Sequence, residues 1–354
     1  MENFSSLSGQ MQEKNSAYYK SPKTKIYGDF STYAQSPQST LAQANAREFY
    51  DWTIKNEKEK FEVLEIGVGN GAFAQGFLQE IANLDRKNGT GIASLLRYTL
   101  ADFSKTIIEN AIKFAKKPKN AGNANISSIL LDANDLSADK LANSFDLIRC
   151  NELFSDLPAD VFVNNGKKIM QVMYGKNMET RLESNLAEEK LEDWEKLLLL
   201  KMPEGYFIPL NKAAARVAVF FCKKLSKNGW LDIFDYGFYR REDFLMPPQI
   251  WNSTLVREFG GQWTVDLNFL YMVVALETAG FEVKVEQQKE YVQKIIGSKL
   301  WLKEADEKNG LDYGKGVGQE LPKTGEGACP LRGSVEEDDF FYHLRARLAK
   351  PNKL

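Results

Sequence analysis

The sequence has few of the residues that metal sites and disulfide frameworks require. Its three cysteines, Cys150, Cys222 and Cys329, are far apart and form no Cys-x-x-Cys pair, and its only histidine is His343. A zinc site of cysteine and histidine ligands is therefore not expected, and we predict no metal site. Any histidine-dependent triad would have to use His343, which lies in an apolar run near the C-terminus and is interpreted as a core-strand residue.

The sequence also lacks long apolar runs and a strong net charge. No stretch of about 18 apolar residues occurs, and the polar N-terminus has no apolar segment of the signal-peptide kind. The 46 basic and 48 acidic side chains give a formal net charge of −2, which indicates no surface for nucleic acid or anionic membranes. Together with the scattered cysteines, these absences predict a cytoplasmic protein with no nucleic-acid or membrane partner.

What the sequence does contain is a regular alternation of strand and helix patterns. The chain has 354 residues, of which 43% are apolar, enough for a large core. Apolar runs that alternate with helical periodicity predict strands at 61–66, 98–102, 126–131, 145–150, 230–236, 281–285 and 340–348. This alternation predicts an α/β fold whose mostly parallel sheet is covered by helices on both faces.

Two segments, at about 160–210 and 238–265, interrupt this alternation and are interpreted as helical insertions. Within the first, residues 178–201 have the composition of a long charged helix. We therefore expect an N-terminal helical and cover segment, residues 1–60, followed by one domain over residues 61–354 that contains both insertions.

A glycine-rich loop, Glu65-Ile66-Gly67-Val68-Gly69-Asn70-Gly71, follows the first predicted strand and precedes a helix. Its alternate glycines allow a sharp turn and a close approach of a ligand to the backbone. The loop amides and the helix N-terminus would then face that ligand. The loop alone is compatible with the methyl donor S-adenosylmethionine, with a dinucleotide through the pattern G-x-G-x-x-A, or with a turn that binds nothing.

Acidic residues at the strand ends indicate a nucleoside. Asp102 ends the second strand, where a carboxylate can accept both ribose hydroxyls. Asp132 ends the third strand, where an acid can bind the adenine amino group of a methyl donor or serve only as a turn residue. Glu65 would face the donor's ammonium group or hold the loop, and it would repel a phosphate. The predicted donor site comprises Glu65, Gly67, Gly69, Gly71, Asp102, Phe103, Asp132, Ala133 and Asn151.

The segment Asn151-Glu152-Leu153-Phe154-Ser155-Asp156-Leu157-Pro158 follows the fourth predicted strand. In a methyltransferase sheet, the end of that strand lies beside the transferred methyl group. Asn151 and Glu152 are therefore predicted to line the transfer site, where a carboxylate can hold an amine or guanidinium and balance its charge. The alternative is a helix N-cap with an acidic first turn.

An ordered series of segments over residues 17–300 resembles the MidA-type methyltransferases, whose mitochondrial members assist the assembly of respiratory complex I. The segments are Gly28-Asp29-Phe30-Ser31-Thr32, the loop at 65–71, the Asn151 segment, Pro203-Glu204-Gly205, Asp235-Tyr236-Gly237 and Val265-Asp266-Leu267. Two departures stand out: the family loop commonly reads GPGRG, and the alanine expected after the acid of the Asn151 segment is missing.

The resemblance implies further site residues and an activity. Gly28, Asp29 and Phe30 would cover the donor, so Asp29 joins the predicted cofactor residues. Asp235-Tyr236-Gly237 would lie beside the substrate, so Tyr236 joins Asn151 and Glu152 as a predicted catalytic residue, unless this tripeptide is only a strand-ending turn. The implied activity is methylation of protein arginine, which is associated with the mitochondrial members.

The sequence thus predicts a class I methyltransferase, with a Rossmann-like fold, a seven-stranded and mostly parallel sheet, S-adenosylmethionine as cofactor and a protein substrate. Three alternatives stay open. They are a small-molecule methyltransferase, a donor-binding assembly factor with little catalysis, and an NAD(P)-dependent oxidoreductase.

Overall fold

The computed structural model describes residues 4–20, 32, 39–116, 124–136, 141, 144–183, 191–244, 246–297 and 340–349. Its helices are α1 Leu7–Lys20, α2 Thr40–Lys55, α3 Ala72–Asn88, α4 Ile92–Leu95, α5 Lys105–Ala115, α6 Asp193–Lys201, α7 Lys212–Cys222, α8 Pro248–Thr254, α9 Phe269–Thr278 and α10 Gln288–Ile296. Its strands are β1 Ser5–Ser6, β2 Phe61–Ile66, β3 Leu96–Asp102, β4 Asn125–Leu130, β5 Phe145–Asn151, β6 Asp160–Asn164, β7 Ile169–Tyr174, β8 Thr180–Glu183, β9 Phe207–Leu210, β10 Leu225–Phe238, β11 Val256–Phe259, β12 Gln262–Val265, β13 Leu267–Asn268, β14 Phe281–Gln287 and β15 Phe341–Leu348.

The main sheet has the strand order β14-β15-β10-β5-β2-β3-β4. Strands β2, β3, β4, β5 and β10 are mutually parallel, whereas β15 runs antiparallel to both β10 and β14. The two-residue strand β13 adds to the edge of β10. The predicted seven-stranded, mostly parallel sheet is therefore confirmed, and β15 is its one reversed strand among the described residues.

The central strands are buried on both faces because helices cover both faces. Every residue of β2 and of β5 is buried, as parallel strands between two helical layers require. On one face Phe49 of α2 packs against Phe77 of α3 and Trp230 of β10, with ring centroids 5.8 and 6.0 Å apart. Because β2, β3, β5 and β10 are parallel, their carboxyl ends meet at one edge of the sheet, where such folds bind ligands.

The first insertion is predicted to be helical, but beside α6 it contains β6, β7, β8 and β9. With β1 from the N-terminal segment, these strands form a second, antiparallel sheet in the order β1-β7-β6-β9, with β8 on β7. The prediction of a long helix over 178–201 is wrong, because Thr180–Glu183 is strand β8 and the helix begins only at Asp193. The charged side chains of this segment are compatible with an exposed helix and equally with an exposed strand. Hydrogen bonding of β8 to β7 decides between them, and sequence periodicity does not reveal that partner.

The second insertion and the N-terminal segment are also predicted to be helical. The second insertion holds α8 and the β11–β12 hairpin, in which Val256 pairs with Val265. The predicted N-terminal helical segment holds α1 and α2. The Asn15 side chain of α1 bonds the backbone of Trp263 in both directions, at 2.7 Å each. Within the described ranges, no helix combines the length and the apolarity that crossing a membrane requires.

Candidate functional site

The glycine loop joins β2 to α3 and has the backbone conformation for which its glycines are suited. Gly67, Gly69 and Gly71 have φ angles of 68°, 51° and 81°, in the left-handed region that other residues rarely adopt. Gly71 precedes the first residue of α3, and a Cβ there would lie 2.6 Å from the carbonyl oxygen of Ala111. Gly71 is therefore required for the close approach of α3 to α5, a role that the sequence prediction did not include.

A cleft lies between this loop and the residues that follow β3, β4 and β5. It has a volume of about 90 Å³ and is lined by Tyr19, Thr32, Glu65, Gly67, Val68, Gly69, Asp102, Phe103, Ile107, Leu131, Ala133, Asn151, Glu152, Leu153 and Asp156. A larger cavity of about 630 Å³ lies elsewhere, against α6 and α9. We place the candidate site in the smaller cleft because its wall is built from the ends of several parallel strands and carries the polar groups.

Asp102 is the buried carboxylate on the β3 side of the cleft. It is only 7% exposed, and one of its oxygens accepts the Ser104 N–H at 2.9 Å. Burial raises the pKa of Asp102 to about 6, although backbone N–H groups of Ser104, Phe103 and Val68 act in the opposite direction. A buried carboxylate with acceptor capacity facing a cleft suits a ligand that presents hydroxyl groups.

Glu65 belongs to a buried ion pair beneath the cleft. Its carboxylate accepts hydrogen bonds from Nη1 of Arg149 at 2.9 Å and from the Tyr98 hydroxyl at 2.7 Å. Arg149 is fully buried and packs on the Phe73 ring, 3.1 Å from its centroid. Burial raises the pKa of Glu65, and the Arg149 charge partly offsets that rise. Of the two predicted roles for Glu65, these bonds support holding the loop.

Asn151 and Glu152 extend this network to the cleft. Nη2 of Arg149 donates to the Asn151 side-chain oxygen at 3.4 Å, and the Asn151 amide donates to the Glu152 carboxylate at 3.0 Å. Glu152 has a φ of 48°, one of two non-glycine residues with a positive φ among those described. Its backbone N–H donates to the Phe234 carbonyl at 2.7 Å. Such a conformation is costly, and it concentrates at functional positions.

Two further carboxylates organise the segment after Glu152. Asp235 accepts the N–H groups of Phe154 and Ser155 at 2.9 and 3.1 Å, so it caps the short 3-10 helix there. Burial raises the pKa of Asp235 to about 6. Asp156 lines the cleft and accepts the Tyr19 hydroxyl at 2.7 Å. Burial raises the pKa of Asp156 to about 7, even though this hydrogen bond lowers it.

Among the described residues, three predicted site residues do not line this cleft: Gly71, Asp132 and Tyr236. Asp132 is exposed, and its carboxylate accepts the Asn134 N–H at 2.8 Å. This is the role of a turn residue, the alternative to binding adenine. Its neighbour Ala133 does line the cleft. Tyr236 lies behind the wall, with its hydroxyl bonded to Thr264 and its ring 4.5 Å from the Arg257 guanidinium. Asp29 lies outside the described residues.

Tyr19, Arg149 and Asp156 are site residues that the sequence prediction did not single out. Arg149 could have been found, because an arginine inside the otherwise apolar run FDLIRC must have a buried partner. Tyr19 has no such signal, since only the folded chain brings α1 to the cleft; its ring lies 5.6 Å from that of Phe103. The described residues contain no group of three or more histidine, cysteine, aspartate or glutamate side chains suited to a metal ion.

Comparison with known proteins gives one family and a fold. Residues 41–270 match the profile of a family described as "Putative S-adenosyl-L-methionine-dependent methyltransferase". Among curated proteins, a search finds no match.

Two crystal structures from Burkholderia thailandensis are similar in fold, one of an uncharacterized protein and one of a candidate methyltransferase bound to S-adenosyl-homocysteine. Each is 18% identical to this chain, with a TM-score of 0.61, and the alignments cover 97% of this chain and 87% and 88% of theirs.

Proposed function

Because this chain belongs to the family of S-adenosyl-L-methionine-dependent methyltransferases whose profile it matches, we propose that it transfers the methyl group to a nitrogen of a protein substrate. The predicted relationship to the MidA-type methyltransferases is confirmed, and S-adenosylmethionine is the cofactor. Family membership also decides against the nicotinamide-dependent alternative. The acceptor and the roles of individual residues are the parts that we propose.

The polar groups of the cleft fit the donor. Asp102 is a buried carboxylate that would accept the ribose hydroxyls, and Leu131 and Ala133 would give adenine an apolar wall. Glu65 and Asn151 also line the cleft and would face the donor's amino acid part, and Gly67 and Gly69 would let the donor approach the backbone. When bound, the cofactor supplies a sulfonium-activated methyl group. We propose Glu65, Gly67, Gly69, Gly71, Asp102, Phe103, Ala133 and Asn151 as the donor site, with Asp132 acting through its turn.

Glu152 and Asn151 are proposed to hold the acceptor nitrogen. The observation that carries this proposal is the left-handed backbone of Glu152 at the end of β5, whose carboxylate is bonded to Asn151 on the cleft wall. A carboxylate held there can accept the N–H of an incoming nitrogen, orient its lone pair toward the methyl group and balance its positive charge. Tyr236 would act on this arrangement from behind the wall, as a positioning residue.

An arginine of a protein is the acceptor that we favour, since a planar guanidinium suits a fixed carboxylate and side-chain amide.

We also propose that residues 1–60 cover the donor, which the presence of Tyr19 and Thr32 in the cleft wall supports. The cleft volume of about 90 Å³ is below the roughly 300 Å³ that ligand pockets usually reach. We therefore propose that the cover shifts when the donor binds. Two alternatives remain: a small-molecule acceptor, and an assembly factor with little catalysis.

The test is incubation of the protein with methyl-labelled donor in cell lysate, followed by mass spectrometry of the labelled species. We expect label on arginine of a protein. Glu152→Gln should reduce the labelling rate by about 100-fold while leaving S-adenosyl-homocysteine binding within about twofold. Glu109→Gln, at an exposed position on α5, is the matched control and should leave both unchanged.

Each alternative predicts a different outcome. Label confined to small molecules would establish the small-molecule methyltransferase. Donor binding without labelling, together with a cellular phenotype that Glu152→Gln does not alter, would establish the assembly factor. A normal labelling rate in Glu152→Gln would show that this carboxylate does not hold the acceptor.

A further inference from the structure

A second cavity is separate from the donor cleft. It lies between α6, α9 and the segment that follows β10, and we call it the α6–α9 groove. It has a volume of about 630 Å³ and is lined by Trp194, Leu197, Leu198, Lys201, Met202, Pro203, Phe238, Tyr239, Arg240, Arg241, Phe244, Leu270 and Val274. It shares no lining residue with the cleft, and the proposed transfer reaction does not use it.

The walls of the groove are mostly apolar side chains, several of which stay partly exposed among the described residues. Helix α6 has four consecutive leucines, and Leu197 remains 54% exposed. Helix α9, FLYMVVALET, is apolar almost all round, and Leu270 and Val274 on its outer side are only half-buried. A helix that is apolar on its outer side normally packs against something there.

Rigid aromatic packing shapes the floor of the groove. Phe244 packs on Trp251 with ring centroids 4.6 Å apart, and Phe238 contacts both of these rings at 5.1 to 5.2 Å. On the α6 side, Trp194 stacks on Tyr271 at 5.0 Å. Because these rings are held by each other, the groove keeps its shape without an occupant, as preformed ligand sites do.

The charged side chains that line the groove all carry a positive charge. Lys201 ends α6, and Arg240 and Arg241 follow β10; all three are exposed. No carboxylate is among the described residues that line the groove. Two carboxylates lie close to the rim. Asp243 accepts the backbone N–H groups of Tyr239 and Arg240 at 2.6 and 2.8 Å, and Glu290 forms an ion pair with Arg240 that is long at 3.8 Å and exposed on both sides, so this pair neutralises the Arg240 side chain only weakly.

We propose that the α6–α9 groove binds an amphipathic anion, a small molecule with an apolar chain or ring system and one carboxylate, sulfonate or phosphate group. The apolar part would lie on the leucines and aromatic rings, and the anionic group would reach the three cations. A volume of about 630 Å³ is within the roughly 300–1,000 Å³ of small-molecule sites. A cationic rim and a partly exposed apolar wall favour such a ligand over a neutral lipid or a cationic peptide.

A pair of fluorescent probes tests both parts of this proposal. 1-Anilinonaphthalene-8-sulfonate carries the anionic group, and N-phenyl-1-naphthylamine has the same ring system without it. Titration of the full chain should show one saturable site for the sulfonate, from which dodecanoate displaces it. Arg240→Gln with Arg241→Gln should weaken sulfonate binding by about tenfold or more and change binding of the neutral probe by less than about twofold.

Two further variants serve as the apolar test and the control. Leu197→Gln, at a half-exposed position where the fold tolerates a polar side chain, should weaken binding of both probes. Arg86→Gln with Lys87→Gln, a matched pair of adjacent exposed cations on α3, should change neither. S-adenosyl-homocysteine affinity should be unaffected by all of these variants, so the outcome is independent of the proposed transferase site.

Three results would overturn the proposal. They are sulfonate binding that survives the Arg240 and Arg241 changes, equal affinity for the two probes, and binding that does not saturate at one molecule per chain. Displacement of the sulfonate by an acidic, leucine-rich peptide but not by dodecanoate would also overturn it, in favour of a peptide-docking surface.

Discussion

At the scale of single residues, burial has changed how the carboxylates of the cleft ionise. Burial raises the pKa of Asp102 to about 6 and that of Asp156 to about 7. Both groups line the space proposed for the donor. Ligand binding that needs an ionised acceptor will therefore weaken in mildly acidic solution, where ordinary aspartates remain fully charged.

The affinity for S-adenosyl-homocysteine should fall as the pH falls through about 6, the pKa of Asp102, because protonation removes the acceptor for the ribose hydroxyls. We expect a loss of about tenfold between pH 7 and pH 5. Calorimetry on the wild type and Asp102→Asn is the measurement. The variant should bind more weakly at pH 7 and lose most of the pH dependence; an equally steep dependence in the variant would assign the effect to Asp156.

The same shift has the opposite sign for the stability of the protein without ligand. The pKa of Asp102 in the folded protein is raised above its unfolded value of 3.8. Its contribution to the free energy of unfolding is therefore fully present below pH 3.8. That contribution is lost as the pH rises through about 6. The carboxylate is thus kept at a cost to stability near neutral pH, which is typical of a residue retained for binding.

At the scale of elements, α1 joins parts of the chain that are distant in sequence. Asn15 makes three side-chain hydrogen bonds, two to the backbone of Trp263 on β12 and one to the Asp156 carbonyl at 2.9 Å. Tyr19, one turn later, reaches the Asp156 carboxylate. The position of the cleft wall therefore depends on α1 remaining docked.

Asn15→Ala should release α1 locally without unfolding the main sheet. The change leaves buried backbone groups of Trp263 unsatisfied, at a cost of about 1–3 kcal/mol. Hydrogen exchange should accelerate over residues 7–20 and at Asp156, and donor affinity should fall. Glu13→Ala, exposed on the same helix, is the control. Unchanged protection of α1 in Asn15→Ala would show that apolar packing alone holds the helix.

At the scale of the whole molecule, a buried charge cluster ties α2 to the C-terminal strand. Arg345 of β15 bonds Asp232 of β10 at 2.7 and 2.8 Å and Glu48 of α2 at 2.7 Å. Nε2 of His343 bonds the same aspartate at 2.8 Å, and His343 is only 1% exposed, which confirms its interpretation as a core-strand histidine. The Arg345 and His343 charges hold the pKa of Asp232 well below its ordinary value despite burial.

Arg345→Met should lower the free energy of unfolding by about 3–5 kcal/mol, since it leaves Asp232 and Glu48 without their cation. Urea unfolding at neutral pH measures this. Arg347→Met, exposed two residues later on the same strand, should cost less than about 1 kcal/mol. A loss of similar size in both variants would mean that packing of β15, rather than the charge cluster, accounts for the effect.

The sequence by itself determined those features that depend on neighbouring residues. The alternation of apolar runs and helices predicted the parallel sheet. The glycine loop and Asp102 at the end of β3 predicted one end of the cleft. The pair Asn151-Glu152 predicted the other end. Each of these signals lies within about ten residues, so backbone conformation and hydrophobic period carry it.

Only the tertiary structure decided what depends on distant partners. Strand β8 exists because β7 lies beside it, and the bonds of Glu65 with Arg149 and of Tyr19 with Asp156 join residues 84 and 137 positions apart. The α6–α9 groove likewise arises where the apolar faces of two helices that are distant in sequence meet. Sequence periodicity shows that such faces and charges exist, but not which of them meet, because the folded chain alone fixes long-range contacts.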